Sequence, residues 1–154
     1  MTYRIEALSP EPFACLIDLS DQELAARRAR RVRATGGGYP CRVSLEEAGE
    51  GEELILVNHL SHDVDTPFRA AHAIYVRAAA AKAPLYRNEV PDIIDCRTVG
   101  LRGFDTAGML RAGSLAMPGE ADRKIRELFS NEDVATIHIH NAALGCFLAK
   151  AERD

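Results

Sequence analysis

Residues 136–150 read T-I-H-I-H-N-A-A-L-G-C-F-L-A-K, two strand-like segments around a brief loop. From Thr136 to His140 polar and apolar residues alternate, the period of a β-strand. In that conformation Ile137 and Ile139 share one face with Ala135, while Thr136, His138 and His140 share the other with Val134. The isoleucine face predicts the main core, which turns the imidazoles toward solvent or a cleft. Cys146 to Lys150 predicts the partner strand. Its register decides where Cys146 points: an even-numbered loop sets the thiol opposite Ile139 in the core, and an odd-numbered loop or a bulge at Gly145 sets it toward His140.

Working outward, Arg97–Arg102 and Met109–Met117 read as two strands joined through Asp105-Thr106-Ala107-Gly108, a hairpin loop. Leu54–Asn58 is a nearly continuous apolar run, and Ala73–Val76 is a shorter one flanked by charge. Thr2–Ala7 predicts a first strand. Helical spacing of Ala121, Ile125, Leu128 and Phe129 predicts a helix over Glu120–Phe129. Ser9-Pro10-Glu11 starts a short helix through Phe13, Leu16 and Ile17, and Ser20 with Glu23 forms a capping box for a helix running to about Arg30. The alanines at 78 to 81 predict another short helix. Strands in runs, without long helices between them, favour an α+β fold over a doubly wound parallel sheet. The expectation is one domain over residues 1–154, with a mainly antiparallel sheet that could curl toward a barrel.

Composition bounds the function classes. A chain of 154 residues with 27% charged and 47% apolar residues is long enough to bury a core without disulfides or metal. The net charge of -4 gives no global attraction to nucleic acid. No apolar run approaches the roughly 20 residues that span a bilayer. Cys15, Cys41, Cys96 and Cys146 are scattered without a C-x-x-C pair, so free thiols in a reducing cytoplasm are expected. Arg27, Arg28, Arg30, Arg31 and Arg33 form the single basic run. No aromatic residues interleave it, so nucleic-acid binding is not expected. The glutamates between 46 and 53 could answer it within the fold or across a homodimer boundary.

Several residues could carry chemistry. His138 and His140, at i and i+2 on one face, could chelate a divalent metal, yet supply two of the three or four ligands such a site needs. A third would come from His72, His59 or His62. The alternative is a solvated or hydrogen-bonded pair. His140 could carry a proton near neutral pH, and Cys146 could act as a nucleophile paired with it; a packed, inert cysteine is the competing reading. Arg42, leaving a flexible triple glycine, could clamp an anion alongside Arg69 or Arg102, or form a structural salt bridge. The glycines lack a following Lys-Ser or Lys-Thr and so do not form a phosphate-binding loop.

Pro40-Cys41-Arg42, Thr66-Pro67-Phe68-Arg69 running into Ala73–Arg77, and above all His140-Asn141-Ala142 with Gly145-Cys146 resemble an uncharacterised bacterial family known as DUF1203. The resemblance covers almost the whole chain. It implies a stand-alone domain and brings no activity, substrate or cofactor with it. Arg42, His140, Asn141 and Cys146 fall inside the resembling segments. The reading is therefore a cytoplasmic protein or enzyme that binds a small anionic ligand in a polar cleft. His138, His140 and Asn141 would line that cleft, with Arg42 or Arg69 on the anion. A non-catalytic homodimeric interaction module is the alternative, and a metal-dependent enzyme using His138 and His140 is a second.

Overall fold

Apolar alternation builds nine strands and four short helices, described for residues 1–154 by a computed structural model. The strands are β1 (Tyr3–Glu6), β2 (Ala29–Arg33), β3 (Glu53–His62), β4 (Ala70–Arg77), β5 (Tyr86–Arg87), β6 (Val99–Phe104), β7 (Leu110–Ala116), β8 (Thr136–Asn141) and β9 (Phe147–Arg153). The helices are α1 (Glu11–Ala14), α2 (Asp21–Ala26), α3 (Asp92–Asp95) and α4 (Ala121–Phe129). Strands β5-β1-β9-β8-β6-β7 form a six-stranded sheet and β2-β3-β4 a three-stranded one. All ladders are antiparallel. The fold is α+β, as the runs of strands predict.

The sheet does not close into a barrel. Backbone pairing stops at β5 and β7 on one sheet and at β2 and β4 on the other, and no ladder joins the two. They meet through side chains instead. One face of the larger sheet presents Val99, Leu101, Ile137 and Ile139 to Ile125, Leu128 and Phe129 of α4, in a continuous core. Each such side chain, taken out of water, contributes roughly 1.5–3 kcal/mol. A second core packs Ile55, Val57, Ile74 and Val76 of the smaller sheet on Phe13, Leu16 and Leu24 beside the helices. Farther along that same face lie His59 and His72, directly opposite one another in the β3–β4 ladder.

Three local expectations change. The strand expected over Leu54–Asn58 runs on to His62, because β4 begins at Ala70 and supplies partners as far as His62, with a bulge between Leu60 and His62. The alanines at 78 to 81 form no helix: Ala78 N–H bonds Glu53 O at 3.1 Å, continuing the sheet edge, and Ala83 N–H bonds Val43 O at 2.8 Å. So short a run, followed by Pro84, cannot offset the cost of helix nucleation. The arginine run is also divided. Helix α2 has its capping box on Ser20 and Glu23 but ends at Ala26, and β2 takes over at Ala29.

That break turns on Arg28, whose φ of 55° lies in the left-handed region that favours glycine. Arg28→Gly is expected to stabilise the fold by about 0.5–1 kcal/mol, measured as a higher urea midpoint at unchanged slope. A lower midpoint would show that the arginine side chain outweighs the strain.

Candidate functional site

The site is assembled at the seam between the two sheets. Segment 40–48 doubles back on itself, with Pro40 bridged to Glu47 and Cys41 N–H bonded to Glu46 O at 2.9 Å. Cys41 and Val43 enter the second core, so Arg42 between them turns the other way, toward β9. Its backbone is tied on both sides, N–H to Tyr75 O at 3.1 Å and C=O accepting Leu8 N–H at 2.9 Å. Only 1% of Arg42 is exposed. Its Nε donates to Phe147 O at 2.7 Å, Nη1 to Pro40 O, and Nη2 to Cys146 Sγ at 3.2 Å.

No carboxylate pairs with this guanidinium; the arginine ion pairs of the chain belong to other arginines. A buried charge without a counter-charge is costly. Burial accordingly pushes Arg42 below its ordinary value, while the charge of Cys146 and its hydrogen bond, together with Cys41, pull the other way and Arg97 adds to the depression. Of the five N–H groups on a guanidinium, three have protein acceptors here. The other two have none.

Arg42 opens onto a cavity of about 360 Å³ whose lining includes Tyr75, Arg97, Asn141, Leu144 and Cys146. That volume suits a small molecule. Arg97 is also depressed by burial, and Cys146 again opposes the shift; it pairs with Glu47 and its Nη1 reaches Cys96 Sγ at 3.3 Å. Asn141 shapes the loop between β8 and β9. Its Oδ1 accepts from Ala143 N–H at 3.0 Å and Leu144 N–H at 2.9 Å, and Gly145, at φ 75°, turns the chain back so that Asn141 N–H bonds Cys146 O at 2.9 Å. The amide oxygen is thus occupied, and the amide NH2 of Asn141 has no protein acceptor. A wider groove of about 580 Å³ shares Arg97 with this cavity, but Glu46, Glu47, Glu89 and Asp92 line it. Those carboxylates repel anions, and Arg42 does not reach it.

Beside the cavity the chain gathers all five of its histidines into one row. His72 meets His140 with ring centres 4.9 Å apart, His140 meets His138 at 6.2 Å, and His138 meets His62 at 4.8 Å. His59 lies opposite His72 and packs on Phe13 and Phe147. Strand β8 is thus covered on both faces, and His138 and His140 are 5% and 6% exposed. Burial, reinforced by His62, His140, Lys150 and Arg102, pushes His138 down to about 3. Burial also pushes His140 down to about 4, against the Gly145 carbonyl and with help from His72, Arg102 and His62. His59 and His72 are lowered too, chiefly by burial.

Hydrogen bonds fix the protons of three rings. Carbonyl oxygens only accept, so His140 Nδ1–H donates to Gly145 O and His62 Nε2–H to Gly108 O, both at 3.0 Å. Ser61 gives its proton to Ala70 O at 3.2 Å and accepts from His72 Nδ1–H at 2.6 Å. The Nε2 lone pair of His140 is buried and has no partner. These rings do not form a ready chelate: no three His, Cys, Asp or Glu side chains are grouped to hold a metal ion.

Of the residues singled out in the sequence, Arg42, Asn141 and Cys146 therefore line one cavity, and His138 and His140 lie in the adjoining row. Arg69 sits elsewhere, exposed and paired with Asp63 at 3.1 Å. Cys146 takes neither of its two expected positions. The loop is odd-numbered, and a bulge after Ile139 places Phe147 opposite His140, so the sulfur is left to bond Arg42. Sequence reading missed Tyr75 and Arg97, which depend on the packing of one sheet against the other, whereas His59, His62 and His72, weighed there as partners of the β8 pair, are all brought to it. The basic run is not balanced as a block either: Arg31 pairs with Glu53 at 2.6 Å, but Arg77 takes Glu46 and Glu52, and Arg97 takes Glu47.

A family model described as "Protein of unknown function (DUF1203)" matches residues 38–153. The chain belongs to this family. The part matched to DUF1203 begins at Gly38 and so contains every residue of the cavity and all five histidines, whereas β1, α1, α2 and the arginine run precede it. No curated protein and no solved structure matches the chain. No helix is long and apolar enough to cross a membrane.

Proposed function

We propose that this DUF1203 protein binds a small anionic molecule, as a cytoplasmic binding protein or enzyme, in the cavity between Arg42, Arg97 and Asn141. One observation carries the reading: a fully buried guanidinium that has no carboxylate partner and two unused N–H groups opens onto a cavity of ligand size. An anion there would supply the missing counter-charge. Arg97 and the Asn141 amide would add donors from a second and third segment, and charge-assisted hydrogen bonds of this kind are about twice as strong as neutral ones.

Inorganic phosphate, sulfate and malonate, titrated calorimetrically, test the reading. At least one is expected to bind with one-to-one stoichiometry, and Arg97→Gln is expected to weaken that binding by about tenfold, the loss of one charge-assisted bond of ~1.5 kcal/mol. Binding of none of the three, or equal binding by Arg97→Gln, would refute it.

A further inference from the structure

Cys146 carries the one thiol on the wall of this cavity. The other thiols differ from it. Cys41 is wholly buried, with its sulfur accepting from Ser44 N–H at 3.4 Å and Arg77 N–H at 3.3 Å. Cys15 and Cys96 are exposed and outside the cavity. Cys146 is part-buried, touches the Arg42 guanidinium, and shares its cavity with a second guanidinium, that of Arg97. Its only hydrogen-bond partner is Arg42, and no imidazole bonds the sulfur. The Nδ1 of His140, on the adjacent strand, is committed to Gly145 O.

Arg42 Nη2 holds the sulfur at 3.2 Å on the cavity wall, beside the donors an anion would use, and a cysteine sulfur is a strong nucleophile toward carbon once its proton has left. The two free N–H groups of Arg42, and those of Arg97 not taken by Glu47, Ile93 O and Cys96, remain for the anionic end of a ligand. A molecule held by that end would present its other atoms to the sulfur.

We propose that Cys146 is a nucleophile for anionic electrophiles, molecules with a carboxylate or phosphate held on Arg42 and Arg97 and an electrophilic carbon beside it. The thiol proton leaves to solvent at the cavity mouth. The sulfur lone pair then forms an S–C bond, and the bond from that carbon to its leaving group breaks, the leaving group departing with the electron pair. The anionic end keeps its hydrogen bonds throughout. This assignment rests on the anion site proposed above and goes further in naming the reacting atom and the class of molecule it takes.

Iodoacetate and iodoacetamide differ in charge and share a leaving group, so together they read out the proposal. The intact chain is treated with each reagent, and the rate at each cysteine is followed by peptide mass spectrometry, with exposed Cys15 as the internal reference. A cleft of one charge sign raises the local concentration of an opposite ion by roughly 10–1,000-fold. The iodoacetate-to-iodoacetamide rate ratio at Cys146 is therefore expected to exceed that at Cys15 by about tenfold or more. Inorganic phosphate should slow the reaction of Cys146 alone, and Arg97→Gln should lower its ratio toward that of Cys15. Equal ratios at the two cysteines, or an unreactive Cys146 beside a reactive Cys15, would overturn the proposal. Calorimetry of phosphate with the unsubstituted chain separates the two levels: phosphate binding without selective carboxymethylation of Cys146 refutes the nucleophile alone, and absence of both refutes the anion site as well.

Discussion

Arg42→Ala is expected to cost on the order of 4 kcal/mol of folding stability, because it removes the donor from two carbonyls and a sulfur and leaves a cavity in their place. The acceptors are Phe147 O, Pro40 O and Cys146 Sγ, so the side chain fastens the 40–48 turn to the start of β9 while its own backbone bonds Tyr75 and Leu8. Arg42→Lys keeps the charge but brings one ammonium to three dispersed acceptors, and about half the loss is expected. Urea unfolding followed by circular dichroism measures both, against a total of roughly 5–15 kcal/mol for a domain. Added phosphate gives a second readout, since a ligand that binds only the folded chain stabilises it by about 2.7 kcal/mol at a hundred times its Kd. That increment should appear in the unsubstituted chain and shrink in Arg42→Lys. If Arg42→Ala lies within 1 kcal/mol of the unsubstituted chain, the guanidinium is not the tie described.

Arg42 also shows where sequence reading stops. Arginine is almost never fully buried, so the only local sign of its position is that it stands between Cys41 and Val43, both of which enter a core. The strands were legible because alternation is local: β6, β7, β8 and β9 fall where the apolar period places them. The helix α4 was legible for the same reason, with four apolar residues at helical spacing. The extension of β3 over His59–His62 was not, because that segment owes its strand conformation to β4, which pairs with it from the far side of a loop. Once β3 runs on, His59 and His62 are carried to the seam and His72 is brought opposite. The three histidines weighed as partners of His138 and His140 then share one place with them. The sulfur of Cys146 depends on a single residue of register, the bulge that puts Phe147 opposite His140.

The histidine row gives the chain an acid limit that its carboxylates alone would not set. In the unfolded chain an imidazole takes up its proton near 6.5, but folded His138 and His140 do so only at about 3 and about 4, because their rings are buried and face Arg102, Lys150 and other histidines. Between those values the unfolded state binds more protons than the folded one, so folding stability falls as the pH is lowered from about 6.5 toward 4. Each unit of difference corresponds to about 1.4 kcal/mol. The two residues together are expected to remove about 5 kcal/mol between pH 7 and roughly pH 4.5, comparable with the whole stability of many domains. Depressed carboxylates such as Asp105 and Glu152 act in a lower window, as their own protonation begins. Urea midpoints taken across this range test the assignment, with His138→Gln/His140→Gln as the comparison. The double variant is expected to start less stable at pH 7, having lost its bond to Gly145 O, and to change far less with acid. An equally steep loss in both chains would place the proton uptake elsewhere. The expected flattening would locate it at the seam, where protonating a buried ring sets a new positive charge among Arg102, Lys150 and the remaining imidazoles and drives the two sheets apart.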